Sequence, residues 1–110
     1  MIDPRALRMF LAVCRANSIS GGARLLNISQ PSVSSAIAQL EQAVGAQLFA
    51  RSRTGISLTA EGEMLLRRAE TVDSVLREAE EEMRLARQGV TGPLRVGVAR
   101  AWEEGGATRV

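Results

Sequence analysis

The chain has 110 residues, which at roughly 100 to 200 residues per domain is one domain with an appendage, and its 45% hydrophobic and 24% charged content with a net charge of +2 describes an ordinary folding chain. It has no histidine, no lysine and a single cysteine, so all 14 cations are arginines. Those absences exclude Ser-His-Asp and Cys-His nucleophile pairs, Ser-Lys dyads, lysine Schiff bases, a P-loop lysine, an intrachain disulfide and a structural zinc site, which points to a binding module without cofactor or metal.

The longest apolar run, Met9 to Cys14, is far below the ~18 residues of a spanning helix, so no membrane segment is expected and the cytoplasm is the expected compartment. Charge is unevenly distributed. Residues 1–59 carry six arginines against Asp3 and Glu41, whereas residues 60–92 carry five against eight carboxylates. A basic head on an acidic stalk suits an anion-binding head, although solvated faces alone would give the same pattern.

Asp3-Pro4 predicts a helix start, a carboxylate acceptor followed by a proline whose missing N–H costs nothing at the first helical position. Leu7, Phe10, Leu11 and Cys14 then recur at i, i+3, i+4 and i+7, predicting an amphipathic helix to about Asn17, which can close it in the left-handed conformation. Cys14 lies in that apolar stripe and is read as a small core residue, not a reactive thiol. Ser20 is expected to cap a short second helix with Ala23, Leu25 and Leu26 as its apolar positions. Gly21 and Gly22 each cost ~1 kcal/mol there relative to alanine, so a close helix crossing must hold that turn.

Asn27-Ile28-Ser29 is a tight connection, and Ser29 is the expected cap of a third helix with Pro31 in its first turn. Two helices joined this closely form a helix-turn-helix. Val33, Ile37, Leu40 and Val44 share one arc of the third helix, leaving Pro31, Ser35, Ala38, Gln39 and Gln42 outward with Ser32 and Ser34 on the flanks, and Gly45 ends it. The outward face is uncharged, small and hydrogen-bonding, as a helix entering the major groove requires; taken alone, the serines could equally be ordinary surface residues.

Leu48 to Arg51 and Ile56 to Leu58 read as two short strands around Ser52-Arg53-Thr54-Gly55. Directly after a helix-turn-helix, such a hairpin is a wing whose arginine can reach a phosphate or the adjacent minor groove, with a generic surface turn as the alternative. Thr59 caps a fourth helix over about 60–88, with Glu61 and Glu63 at its positive end. Leu65, Ala69, Val72, Leu76, Ala79, Met83 and Ala86 recur every four and three residues, a heptad seam on a helix roughly 40 Å long at 1.5 Å per residue. Such a helix needs another helix to cover it, and its alanines allow close approach, so homodimerisation is expected in preference to packing on a neighbouring domain. Residues 89–93 read as a hinge, and Leu94, Val96 and Val98 in the segment 94–110 alternate like the first strand of a domain that does not follow.

The chain resembles the N-terminal part of a LysR-type transcriptional regulator over residues 2–98. The matching segments are Leu7 to Phe10, Asn17 to Ser20, Ile28 to Ser34, Leu40-Glu41, Gly45, Leu48-Phe49 with Arg51, Leu58 to Gly62, and Gly92 to Gly97, in this order and spacing. The resemblance implies a mainly α, winged helix-turn-helix domain over 1–59, with a two-stranded wing and a long C-terminal dimerisation helix that pairs antiparallel. It also implies a two-lobed effector domain, absent from these 110 residues, so a small-molecule effector is expected only if a full-length protein carries that domain. By similarity, Gln30, Pro31, Ser32, Ser34 and the position of Ser35 sit at the DNA, with Arg51 and the wing supporting the backbone. Two departures stand out. Ser35 occupies a place where many relatives carry a base-reading arginine, and Arg53 precedes by one residue the position where relatives often have the wing arginine.

The expected function is therefore sequence-specific binding of double-stranded DNA bearing an interrupted inverted repeat, by a homodimer with one recognition helix per subunit in the major groove. The expected DNA-binding residues are Ser29, Gln30, Pro31, Ser32, Ser34, Ser35 and Gln39 on the recognition helix, with Arg24, Arg51 and Arg53 as phosphate contacts. The competing reading is a dimerisation module that sequesters full-length regulators as heterodimers. A carboxylate-driven hydrolase is disfavoured, because the acidic residues lie mainly on one exposed helix without an evident cleft.

Overall fold

The chain folds as α1 (Pro4–Ala16), α2 (Ile19–Leu26), α3 (Gln30–Val44), β1 (Phe49–Ser52), β2 (Gly55–Leu58) and α4 (Ala60–Arg87), in a computed structural model that describes residues 1–89. The strand expected from Leu94 and the tail after it lie outside the described residues, as does the expected hinge apart from Gly89.

Each helix starts and stops where a side chain or a left-handed residue satisfies its ends. Asp3 accepts the Arg5 N–H at 2.9 Å at the start of α1, and Asn17 closes the helix at φ +61 with its N–H on the Val13 carbonyl. Ser18, not Ser20, caps α2. The backbone turns extended immediately after Asn17, so the Ser18 hydroxyl meets the Gly21 N–H at 2.9 Å, and Ser20 already lies within the helix. Asn27 at φ +58 ends α2, Ser29 accepts the Ser32 N–H at 3.2 Å to open α3, and Gly45 at φ +73 ends it.

The core joins Ala6, Phe10, Leu11 and Val13 of α1 to Ala23 of α2, to Val33, Ala36, Ile37 and Leu40 of α3, and to Leu48 and Ala69. Leu7, Cys14 and Val44 pack at its edge, half-buried, and Leu25 is 61% exposed, so the apolar stripe of α2 is narrower than expected. Its place is taken by backbone. A Cβ on Gly22 would lie 2.9 Å from the N and Cα of Val13, the close crossing that the two glycines demand. The Phe10 ring meets Phe49 at a centroid distance of 5.3 Å and tilts by 46°, anchoring the base of β1 to α1.

The strands pair antiparallel, Phe49 with Leu58, Ala50 with Ser57, Arg51 with Ile56 and Ser52 with Gly55. The hairpin is thus one residue further along on its first strand than expected, and its turn is the dipeptide Arg53-Thr54, followed by Gly55 at φ +130. Leu48 precedes the strand: its N–H goes to the Glu41 carboxylate at 2.9 Å and not to a strand partner, and its side chain lies in the core, 1% exposed. Thr59 caps α4, its hydroxyl accepting the Gly62 N–H at 2.9 Å while donating to the Gln47 carbonyl at 2.6 Å. Gly62 passes so close to β1 that a Cβ there would fall 2.1 Å from the Leu48 carbonyl oxygen.

Two compact units divide between Asp73 and Ser74, inside α4. The first takes in the opening turns of α4, because Leu65, Leu66 and Ala69 pack on the core, and Arg15 pairs with Asp73 at 3.3 Å. In the second, the described part of α4 exposes Val75, Leu76 and Met83, and Arg84 holds the Glu81 carboxyl below its usual range through a hydrogen bond.

Candidate nucleic-acid interface

The outward ridge of α3 is made by its phase. Burying Val33, Ala36, Ile37 and Leu40 turns Gln30, Pro31, Ser32, Ser34, Ser35, Ala38, Gln39 and Gln42 to the surface, and all of them are exposed. None carries a charge. Ser29, expected among the DNA-facing residues, is also exposed, but its hydroxyl is engaged at the helix start, accepting the Ser32 N–H and lying 2.8 Å from the Ser32 hydroxyl. Gln30 is left as the first side chain of the ridge able both to donate and to accept.

Grooves flank the ridge on both sides. Toward the wing, a groove of about 370 Å³ is lined by Ser34, Ala38 and Glu41 of α3 together with Gln47, Arg51 and Ile56. Toward α1, a groove of about 480 Å³ brings Pro31, Ser32, Ser35 and Gln39 together with Asp3, Arg5 and Met9. The expected site residues thus fall into two sets, Ser34 with Arg51 and Ser35 with Gln39. Arg5 beside Ser35 was not among the expected cations. Only a tertiary contact places it there, and its position near the start of α1 gave no hint in the sequence.

The two other expected cations, Arg53 and Arg24, are not among the residues lining these grooves. Arg53 is exposed in the two-residue turn, which is braced by the Ser52 and Thr54 hydroxyls at 3.1 Å and by a bond from Ser52 Oγ to the Gly55 carbonyl at 3.3 Å. Arg24 is exposed in the last turn of α2, at the corner of the helix-turn-helix. An exposed arginine on a braced turn and another at a helix end are suited to phosphate oxygens, which accept from any donor that reaches them.

Among the described residues, no group of three or more His, Cys, Asp and Glu side chains comes together to hold a metal, and no helix is long and apolar enough to cross a membrane. Cys14 is half-buried, and burial, reinforced by the nearby Glu70 carboxylate, pushes its thiol up to about 11 against the opposing pull of Arg15. Such a thiol is protonated at neutral pH and a poor nucleophile.

The seven seam positions of α4 divide by burial. Ala69 is 2% exposed in the core of its own chain and Leu65 is half-buried against it, whereas Val72, Leu76, Ala79, Met83 and Ala86 are exposed.

Comparison with known proteins gives a consistent picture. A family model described as bacterial regulatory helix-turn-helix protein, lysR family, matches residues 4–63. The HTH-type transcriptional regulator YofA of Bacillus subtilis is 43% identical over 91 residues, 83% of this chain and 32% of the relative. ClcR of Pseudomonas putida, also named an HTH-type transcriptional regulator, is 40% identical over 92 residues, 84% of this chain and 31% of the relative. The chain therefore spans about a third of the length of these curated relatives, which are named as regulators and not as enzymes. Among solved structures, the BenM DNA-binding domain in complex with catB site 1 DNA superposes with a TM-score of 0.71 at 30% identity, covering 79% of this chain and 94% of that one. The CbnR DNA-binding domain bound to DNA superposes with a TM-score of 0.68 at 32% identity, covering 77% of this chain and 98% of that one.

Proposed function

Because the chain belongs to the lysR family of bacterial regulatory helix-turn-helix proteins, we propose that it acts as the sequence-reading part of a transcription regulator. The ridge of α3 enters the major groove, with Gln30, Pro31, Ser32, Ser34, Ser35 and Gln39 toward the base edges and Ser29 holding the first turn. Arg53, Arg51 and Arg24 take the backbone, or the minor groove beside the wing. The observation that carries this reading is the uncharged ridge itself, flanked by cation-bearing elements, on a fold shared with two domains whose structures contain DNA. A bacterial regulator of this kind works in the cytoplasm, where its DNA is.

We assign homodimerisation to the exposed face of α4. Val75 joins the expected seam residues Val72, Leu76, Ala79, Met83 and Ala86, while Leu65 and Ala69 are removed from it because their own core occupies them. Two subunits related by a twofold axis then present two recognition helices to an interrupted inverted repeat, and the dimer sets the half-site spacing. The same exposed face also supports a second reading, in which it captures longer regulators as heterodimers; mixing the chain with an intact relative and weighing the species in native conditions separates the two.

The test of the main reading is selection from a random duplex pool. Recovery of an inverted repeat is expected. A pool that returns no enriched sequence, with a chain that retains nothing at low salt, refutes it.

A further inference from the structure

The ridge of α3 and the wing come from different stretches of chain, so the distance between them depends on the turn at 45–48. One residue organises that turn. The Glu41 carbonyl accepts the N–H groups of Gly45 at 2.9 Å and Ala46 at 3.2 Å, and its carboxylate Oε2 accepts the Leu48 N–H at 2.9 Å. Leu48 passes the constraint on. Its side chain is sealed in the core, its carbonyl accepts the Thr59 N–H at 3.0 Å, and the Thr59 hydroxyl donates to the Gln47 carbonyl at 2.6 Å. The entry to β1 and the exit from β2 are therefore tied together and, through Glu41, to α3.

Electrostatics makes the presence of this carboxylate informative. Glu41 is one of two acidic residues in the first 59 and lines the groove between α3 and the wing, beside Ser34 and Arg51. A negative charge between two elements that approach phosphates opposes binding. What it contributes in return is a charge-assisted hydrogen bond to a backbone N–H that no strand partner takes.

We propose that Glu41 is a positioning residue, holding the Leu48 N–H so that the wing stands where Arg53 reaches the DNA backbone while α3 reads the bases. This rests on the DNA-binding function proposed above. Affinity for a selected duplex is measured against salt for the wild type, Glu41→Met, Glu41→Gln, Arg53→Ala and the Glu41→Met/Arg53→Ala double variant. Methionine and glutamine remove the same charge, but only glutamine keeps an acceptor oxygen, so their difference isolates the hydrogen bond. Glu41→Met is expected to bind roughly tenfold more weakly than Glu41→Gln, to lose about one ion from the salt slope, and to cost less than about twofold once Arg53 is alanine. Equal affinities of the Met and Gln variants, or the same loss with and without Arg53, overturn the proposal.

Amide exchange provides a second measurement that needs no DNA. The Leu48 amide is expected to stay slow in the wild type and Glu41→Gln and to become fast in Glu41→Ala, while amides of α1 stay protected; unchanged protection in Glu41→Ala overturns the proposal. A wild-type chain that binds no duplex refutes the function itself, a result distinct from a binding wild type whose Met and Gln variants behave alike.

Discussion

At the scale of single residues, the strongest constraints come from positions without side chains. Gly62 lies in ordinary helix, yet a Cβ there would press on the Leu48 carbonyl at 2.1 Å, and neither backbone can yield without moving α4 or the wing. Gly62→Ala is expected to cost about 2–4 kcal/mol in urea unfolding. Gly45→Ala, where a Cβ meets nothing within 4 Å and only the φ of +73 is unfavourable, should cost nearer ~1 kcal/mol. Equal losses at the two sites would mean that packing is not what fixes Gly62. At Cys14, a thiol raised to about 11 from an ordinary value of 9.0 carries roughly a hundredfold less thiolate at neutral pH, so alkylation at pH 8 should be slower than for an unfolded control by about that factor. The raised value also has a sign. Below pH 9 the thiol is protonated in both states and contributes nothing to the pH dependence, whereas between about pH 9 and 11 only the unfolded chain ionises, so stability falls as pH rises through that window. On the proposed DNA face, Arg53→Ala should weaken binding to all duplexes alike and reduce the salt slope by about one charge, while Gln30→Ala should change preference at one base step by ~1–3 kcal/mol. A binding titration in which Arg53→Ala changed base preference would reverse the two roles.

At the scale of elements, α3 and α4 are both amphipathic but end in different situations. The apolar arc of α3 is fully used by its own core, so its outer face is free to be chosen for recognition, and that face is uncharged. The described end of α4 has no such core, and Val75 and Met83 remain 58% and 61% exposed. An apolar face of this kind on a helix marks a partner surface. Leu76→Glu is expected to shift the chain from dimer to monomer in sedimentation without lowering the unfolding midpoint of residues 1–73. Leu25→Glu, on the 61% exposed leucine of α2, should leave the mass unchanged. A dimer that survives Leu76→Glu would move the interface elsewhere. The wing is an element only by attachment. A two-stranded hairpin is marginal alone, and this one is held by the Phe10–Phe49 contact, the Glu41 bond and the Thr59 hydroxyl, whose removal in Thr59→Ala should cost about 1–2 kcal/mol.

At the scale of the whole molecule, the elements and their caps were largely legible in the chain. Asp3, Asn17, Ser29, Gly45 and Thr59 mark helix ends through interactions that span only a few residues, and the spacing of Val33, Ile37 and Leu40 sets which face of α3 is buried. Local chemistry of that range is written in the order of residues, and so is the absence of histidine and lysine, which removes the nucleophile pairs that depend on them. Ser18 against Ser20 is decided by where the backbone turns extended after Asn17, a shift of two residues that propensity alone does not resolve. What the tertiary structure alone decided is which groups come together outside their own element: Arg5 and Ser35 lining one groove, Glu41 on the Leu48 N–H across a turn, Gly62 on the Leu48 carbonyl, and Ala69 in the core and not on a seam. These depend on the angles at which helices cross and on how closely backbones approach. Such quantities arise from the simultaneous packing of all the elements, and no periodicity along a single helix encodes them.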